Sequence, residues 1–252
     1  MEFIIKNKFK KLILIFLVTI LYSFIGKPVI SLSEVKKQPI YNVDTAEKKL
    51  SLTFDVNWAE KDYLYEILDI LDKHNVKATF FVMGKWVIYP EENKEKLKEI
   101  NKRGHEIGNH SFIHPDFTKI SKERAIKEIK ETEDIISKEI GLKTELFRFP
   151  SGSYNEDKLR VSEELGYKNI HWNVDSIDWK NLGLDKEYNR VIKNIIPGSI
   201  VLFHNNGKNT PKNLEKLIPY LKKEGYNFFT IGELIFKENY EINSEGLQKL
   251  LQ

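Results

Sequence analysis

Two histidines four residues apart stand in the segment Gly108-Asn109-His110-Ser111-Phe112-Ile113-His114-Pro115. Neutral imidazoles are the commonest protein metal ligands, and a spacing of four puts both rings on one side of a single helical turn. Alone, His110 and His114 read equally as metal ligands or as a hydrogen-bonded turn pair. The metal reading needs a third ligand and a catalytic group from elsewhere in the chain. Thr53-Phe54-Asp55 offers a carboxylate that could cap the next segment or serve as a general base. Arg148-Phe149-Pro150-Ser151-Gly152 is either a plain turn or an arginine aimed at a carboxylate, with turn N–H groups free for an oxyanion. Asp175-Ser176-Ile177-Asp178-Trp179 couples two acids to an aromatic platform suited to sugar stacking. Leu202-Phe203-His204 ends an apolar run in an imidazole, where a lone histidine is more often structural than catalytic.

These residues need elements to position them. Short apolar runs predict strands near residues 50–54, 78–82, 106–109, 146–149, 169–174, 200–203 and 227–230. Helical patterns lie between them at 62–74, 91–102, 122–140, 155–165, 186–195 and 211–223. Leu64, Ile67, Leu68 and Leu71 share one face of the first helix; Ile126, Ile129, Ile136 and Ile140 share one face of the third. The Lys and Glu runs on these helices read as solvated surface. Seven strand–helix alternations in about 190 residues predict a parallel α/β fold. Asp55, His110, Arg148, Asp175, Asp178 and His204 all follow strand ends, which favours a (β/α) barrel with its site at the carboxyl face. An open doubly wound sheet is the alternative, but it usually brings a glycine-rich phosphate loop, absent here.

Composition narrows the setting. Lys6, Lys8, Lys10 and Lys11 against Glu2 account for the whole formal charge of +3. The remainder is neutral and has no basic stripe for nucleic acid. The same lysines precede an apolar run from Leu12 to Ile25, which reads as a signal peptide or membrane anchor over residues 1–26. Residues 27–47 read as a linker, 48–236 as one catalytic domain and 237–252 as a tail. The chain has no cysteine, hence no lipoprotein attachment, disulfide or thiolate site. An extracytoplasmic protein, secreted or anchored by its N-terminal segment, is expected, with no protein partner implied.

Taken together the motifs are far more specific than any one of them. The chain resembles the polysaccharide deacetylase family, the NodB-homology carbohydrate esterases of family 4. Five motifs occur in family order: T-F-D at 53–55, H-S-x-x-H at 110–114, R-x-P-x-G at 148–152, D-x-x-D-W at 175–179 and L-x-H at 202–204. The resemblance spans roughly residues 48–236. It implies a distorted (β/α)7 barrel of the NodB type and metal-dependent removal of acetyl groups from a cell-wall glycan. By this resemblance His110 and His114 hold a divalent metal, zinc or else cobalt. Asp55 is the general base and Arg148 keeps it ionised. His204 is the general acid, oriented by Asp178. The Ser151 N–H faces the oxyanion, and Trp179 and Leu202 line the acetyl slot.

One position departs from the pattern. The family's fullest motif has a second, metal-binding aspartate after the base; here it is Val56. Either two histidines hold the metal with water or Asn57, or Asp55 itself ligates, or catalysis is slow or lost. An apolar residue at this place resembles the sporulation and cell-wall deacetylases of spore-forming bacteria. The competing functions are an O-acetyl esterase at the same site and a non-catalytic glycan-binding module that stacks sugars on Trp58, Trp86, Trp172 and Trp179.

Overall fold

A computed structural model describes residues 37–251. The signal peptide or anchor expected over residues 1–26 lies outside the described residues. Among those described, no helix is long and apolar enough to cross a membrane.

The central strand is β2 (Lys49–Val56), and its alternation explains its place. Leu50, Leu52, Phe54 and Val56 pack outward against helices α1 (Leu64–Lys73) and α7 (Thr210–Lys223). The intervening Thr53 and Asp55 project to the other side, where they meet a single buried arginine. This is the period-two geometry of a strand. Strand β2 pairs in parallel with β3 (Thr79–Val82) on one side and β8 (Ser199–His204) on the other. The path continues from β3 to β4 (Glu106–Asn109), β5 (Leu146–Phe147) and β6 (Lys168–Asn169), all parallel. The register sets Asp55 beside His204 and Val82 beside Asn109. Six of the seven predicted strand regions therefore deliver their carboxyl ends to one face of a distorted barrel. Helices α3 (Asn93–Lys102), α4 (Lys122–Ile140), α5 (Glu156–Glu164) and α6 (Leu184–Asn194) complete the outer layer. A helix that periodicity did not predict, α2 (Gly84–Ile88), follows β3 and buries Trp86. Trp86 is therefore a core residue and not a sugar platform.

The predicted strand over 169–174 is broken. After β6, residues 170–173 leave the ladder, and β7 (Val174–Asp175) pairs with β8. At the break, the Ile170 and His171 carbonyls face the Arg148 guanidinium, at 3.5 and 3.1 Å. Residues 40–43 cover this seam. Ile40 bridges Ile170, and β1 (Asn42–Val43) pairs with β8. Ile40 and Val43 are buried with Phe81, Leu146, Ile170 and Ile200. The end of the segment expected as a linker is thus part of the domain. The expected tail also folds onto it: β10 (Tyr240–Ile242) and β11 (Leu247–Leu250) form a hairpin whose second strand pairs with β1. The remaining elements, β9 (Asn227–Phe228) and α8 (Ile231–Leu234), sit at the opposite end of the barrel from His204.

Gly198 is where the N-terminal segment crosses. Its φ is +80°, and a Cβ there would lie 1.8 Å from the Val43 carbonyl oxygen. Gly198→Ala is expected to destabilise the fold by about 2 kcal/mol or more in denaturant unfolding. A change near zero would mean that residues 40–43 do not pack as described.

Candidate active site

The carboxyl ends of the barrel strands surround a cavity of about 350 Å³. Asp55, His114, Asp175 and His204 line it. Ser151, Trp172, Trp179, Leu202, Asn57 and Asn206 complete the wall. Both imidazole motifs, both acidic motifs and the arginine turn therefore converge on one place. Asn206 was not expected here; the sequence singles out Asn57, Trp172 and Asp175 only as an alternative metal ligand, a stacking candidate and a motif acid. Trp172 lies within, and Asp175 just after, the strand predicted over 169–174, which is broken between β6 and β7.

Asp55 is buried and doubly engaged. Its Oδ1 accepts from an Arg148 Nη at 2.8 Å. Arg148 is itself fully buried and also donates to the Thr53 hydroxyl and the His171 carbonyl. Its guanidinium carbon lies 4.0 Å from the centroid of the Phe81 ring. Thr53, missed as a site residue, was legible as the neighbour of Asp55 on the inward face of β2. Burial alone would raise the Asp55 carboxyl. The opposing charges of His110, Arg148 and His204 outweigh it and hold the group below the ordinary carboxylate value.

The histidine pair does not sit on a helical turn. Residues 110–114 form a loop after β4 in which Ser111 and His114 are left-handed, with φ of 66° and 61°. The loop still brings the two rings together, with centroids 4.9 Å apart. His110 Nδ1 lies 2.9 Å from the Arg148 carbonyl oxygen, so Nδ1 carries the proton and Nε2 presents its lone pair. Burial pushes the His110 ring down to about 4 and also lowers His114, so both are neutral at pH 7. The buried His110 Nε2 has no hydrogen-bond partner and faces Asp55 Oδ2 at 3.4 Å. A lone pair against a carboxylate oxygen is repulsive unless a positive charge lies between or beside them. The donors present therefore suit a divalent cation held by imidazoles. Val56 does not contribute: it ends β2 with its side chain in the helix-facing core. Among the described residues, no group of three or more His, Cys, Asp or Glu side chains forms a metal cage.

His204 is paired with Asp178. His204 Nδ1 lies 2.8 Å from Asp178 Oδ1, leaving Nε2 toward the cavity. Fully buried Asp178 also accepts from the backbone N–H groups of His204 and Trp179 and from the Thr210 hydroxyl. Burial would lower the His204 ring. The Asp178 hydrogen bond and charge, helped by Asp55 and Asp175, raise it overall above the ordinary histidine value. Thr210, six residues beyond His204, carried no signal in the sequence because a loop folds it back. Trp179 is 53% exposed at the rim, while Leu202 is buried in the wall. Ser151, also left-handed with φ of 53°, stands at the mouth. The next residue, Gly152, has φ of 65°, and a Cβ there would lie 2.5 Å from His171 Nε2. The turn therefore needs glycine for both reasons.

This arrangement can deprotonate a water, accommodate an anionic oxygen and protonate a leaving group. Known proteins resemble the chain in sequence and fold. The family model for polysaccharide deacetylase matches residues 42–170. The chain is 36% identical over 223 residues to the peptidoglycan-N-acetylmuramic acid deacetylase PdaA of Bacillus subtilis, covering 87% of this chain and 83% of that protein. It is 36% identical over 209 residues to the uncharacterized B. subtilis protein YlxY, covering 83% of this chain and 64% of YlxY. The solved structure of PdaA, a family 4 carbohydrate esterase, matches with a TM-score of 0.72 and 34% identity over 78% of this chain and 84% of that one. The structure of BA3943, a family 4 pseudoenzyme from Bacillus anthracis, matches with a TM-score of 0.75 and 33% identity over 89% of this chain and 76% of that one. With its barrel, its five motifs and these relatives in agreement, the chain belongs to the polysaccharide deacetylase family.

Proposed function

We propose that this protein removes N-acetyl groups from amino sugars of peptidoglycan or a related cell-wall glycan, outside the cytoplasmic membrane. The observation that carries the reading is one cavity lined by a carboxylate bonded to a buried guanidinium and an imidazole bonded to a buried carboxylate, Asp55 and His204. Amide hydrolysis needs both: a base for the attacking water and an acid for a poor amine leaving group. The deacetylase relatives support the substrate class. One family 4 relative is a pseudoenzyme. Against that reading, this chain keeps the base, the acid and both positioning partners in bonded geometry.

In this reading Asp55 takes a proton from water through Oδ2, while Arg148 anchors Oδ1. Ser151 lines the cavity, and its N–H would face the oxyanion of the tetrahedral intermediate. His204 Nε2 gives its proton to the departing amine, and Asp178 fixes the tautomer and stabilises the charged ring. Leu202 and Trp179 enclose the acetyl methyl. A divalent cation, zinc or cobalt, held by His110 Nε2 and His114, would polarise the acetyl carbonyl and acidify the attacking water.

Release of acetate from peptidoglycan or chito-oligosaccharide, with and without added zinc or cobalt, is the direct test. Turnover is expected, and no acetate under any metal condition would refute the assignment. Acetylated xylan run beside these substrates separates an O-acetyl esterase. Asp55→Asn and His204→Ala should each lower turnover by at least about 10²-fold, with metal content unchanged in His204→Ala. A binding module would instead show sugar binding without turnover, unaffected by Asp55→Asn.

The pH dependence follows from His204. Its protonated form is favoured in the folded protein, so the active form persists above the ordinary value of 6.5. Activity should fall only as pH rises through that raised value. The stability that His204 contributes is complete below 6.5 and lost over the same upper interval. Asp178→Asn should move the activity limb to lower pH, measured as kcat against pH.

A further inference from the structure

With Val56 turned into the core, a cation at this site depends on how firmly His110 and His114 are held. We propose that Glu128, on α4, is the positioning residue that presets the two imidazoles. The inference rests on the metal reading above.

The loop between the histidines has no regular structure, and two of its residues are left-handed. Its shape is imposed by hydrogen bonds. The His110 N–H donates to the Val82 carbonyl, and the Ser111 N–H to the Asn109 side chain. The Phe112 and Ile113 N–H groups both donate to one oxygen, Glu128 Oε2, at 2.9 and 2.8 Å. The His114 N–H donates to the Ser111 hydroxyl. Every backbone N–H from 110 to 114 is thus engaged, and Glu128 takes the two midway between the rings. From the other side, the Ser111 and Phe112 carbonyls accept from Gly84 and Lys85 at the start of α2.

Glu128 is built for this. It is fully buried, although it belongs to a charged run that sequence assigns to the solvated surface. Its other oxygen, Oε1, accepts from Arg124 Nε at 2.8 Å and from an Arg124 Nη at 2.6 Å. One oxygen therefore holds the loop while the other is fixed by a guanidinium. A glutamine there keeps the volume but must turn its amide N–H groups against either the loop donors or the arginine. Charge-assisted hydrogen bonds become donor–donor contacts in a buried place.

The test compares Co²⁺ binding to the full chain and to Glu128→Gln by titration calorimetry and visible absorption, with amide exchange at Phe112 and Ile113 followed without metal. Affinity should fall at least about tenfold in the variant, the magnitude typical of lost outer partners of metal ligands, with an altered absorption spectrum. Both amides should exchange faster. Glu187 is an equally buried carboxylate, on α6, that accepts from Asn209 and Asn213 and does not touch the loop. Glu187→Gln should leave Co²⁺ affinity and both amides unchanged. Equal affinity in wild type and Glu128→Gln overturns the proposal. A wild type that binds neither Co²⁺ nor Zn²⁺ defeats the metal reading itself and this role with it, and is told apart by failing before any substitution. If Glu128→Gln does not fold, Arg124→Ala removes the anchor from the surface side. A loss of about threefold or more in affinity is expected there, and no loss overturns the proposal.

Discussion

The buried pairing of Arg148 with Asp55 is the interaction on which the site depends. Arg148 is a fully buried charge, and such a charge is tolerated only when its hydrogen bonds are filled. Filling them ties four parts of the barrel together. The guanidinium reaches Asp55 and Thr53 on β2, and the carbonyls of residues 170 and 171 beyond β6. The backbone of the same residue takes Nδ1 of His110 and donates to Asn109 on β4. Truncating one partner of a buried pair leaves the other charge uncompensated, at a typical cost of about 3–5 kcal/mol. The contacts to residues 170 and 171 fall where the strand is interrupted between β6 and β7, next to the cavity-lining Trp172.

Around that pair the structure sets opposite protonation preferences a short distance apart. Asp55 is held as an anion by three cationic or potentially cationic neighbours. The protonated form of His204 is favoured by Asp178, whose buried carboxylate is satisfied by four donors. Pairs of groups pushed apart in this way are how one site supplies base and acid at the same pH. The histidine pair is the counterpart: burial keeps both rings neutral, the form a cation needs.

Val56 makes the second half of the site unusual. Its side chain strengthens the hydrophobic face of β2, where a carboxylate would have been desolvated against α1 and α7. In the metal reading, the imidazoles that would hold a cation sit on a loop, so the precision of that loop carries more weight than a fuller set of protein ligands would require.

The alternation of strands and helices, and the strand-end position of Asp55, Arg148, Asp178 and His204, were legible because side-chain period and element order are local properties. The resemblance supplied the roles, because five short motifs in one order carry what no single motif does. The folded chain overturned several local readings. His110 and His114 are joined by a left-handed loop and not by a helical turn. The segment at 40–43 and the final hairpin belong to the sheet, since β-pairing between distant segments leaves no mark in a local window. Trp86 went to the core, while Trp172 went to the cavity. Glu128 shares the α4 face of Ala125, Ile129, Thr132 and Ile136, so its burial was readable in principle; what it holds was not. Sequence by itself determined which groups could do chemistry and the order in which strands present them. Only tertiary structure decided which charges are buried against which partners. That is the decisive difference, because protonation state and ligand geometry are set by desolvation and by atoms up to about a hundred residues away.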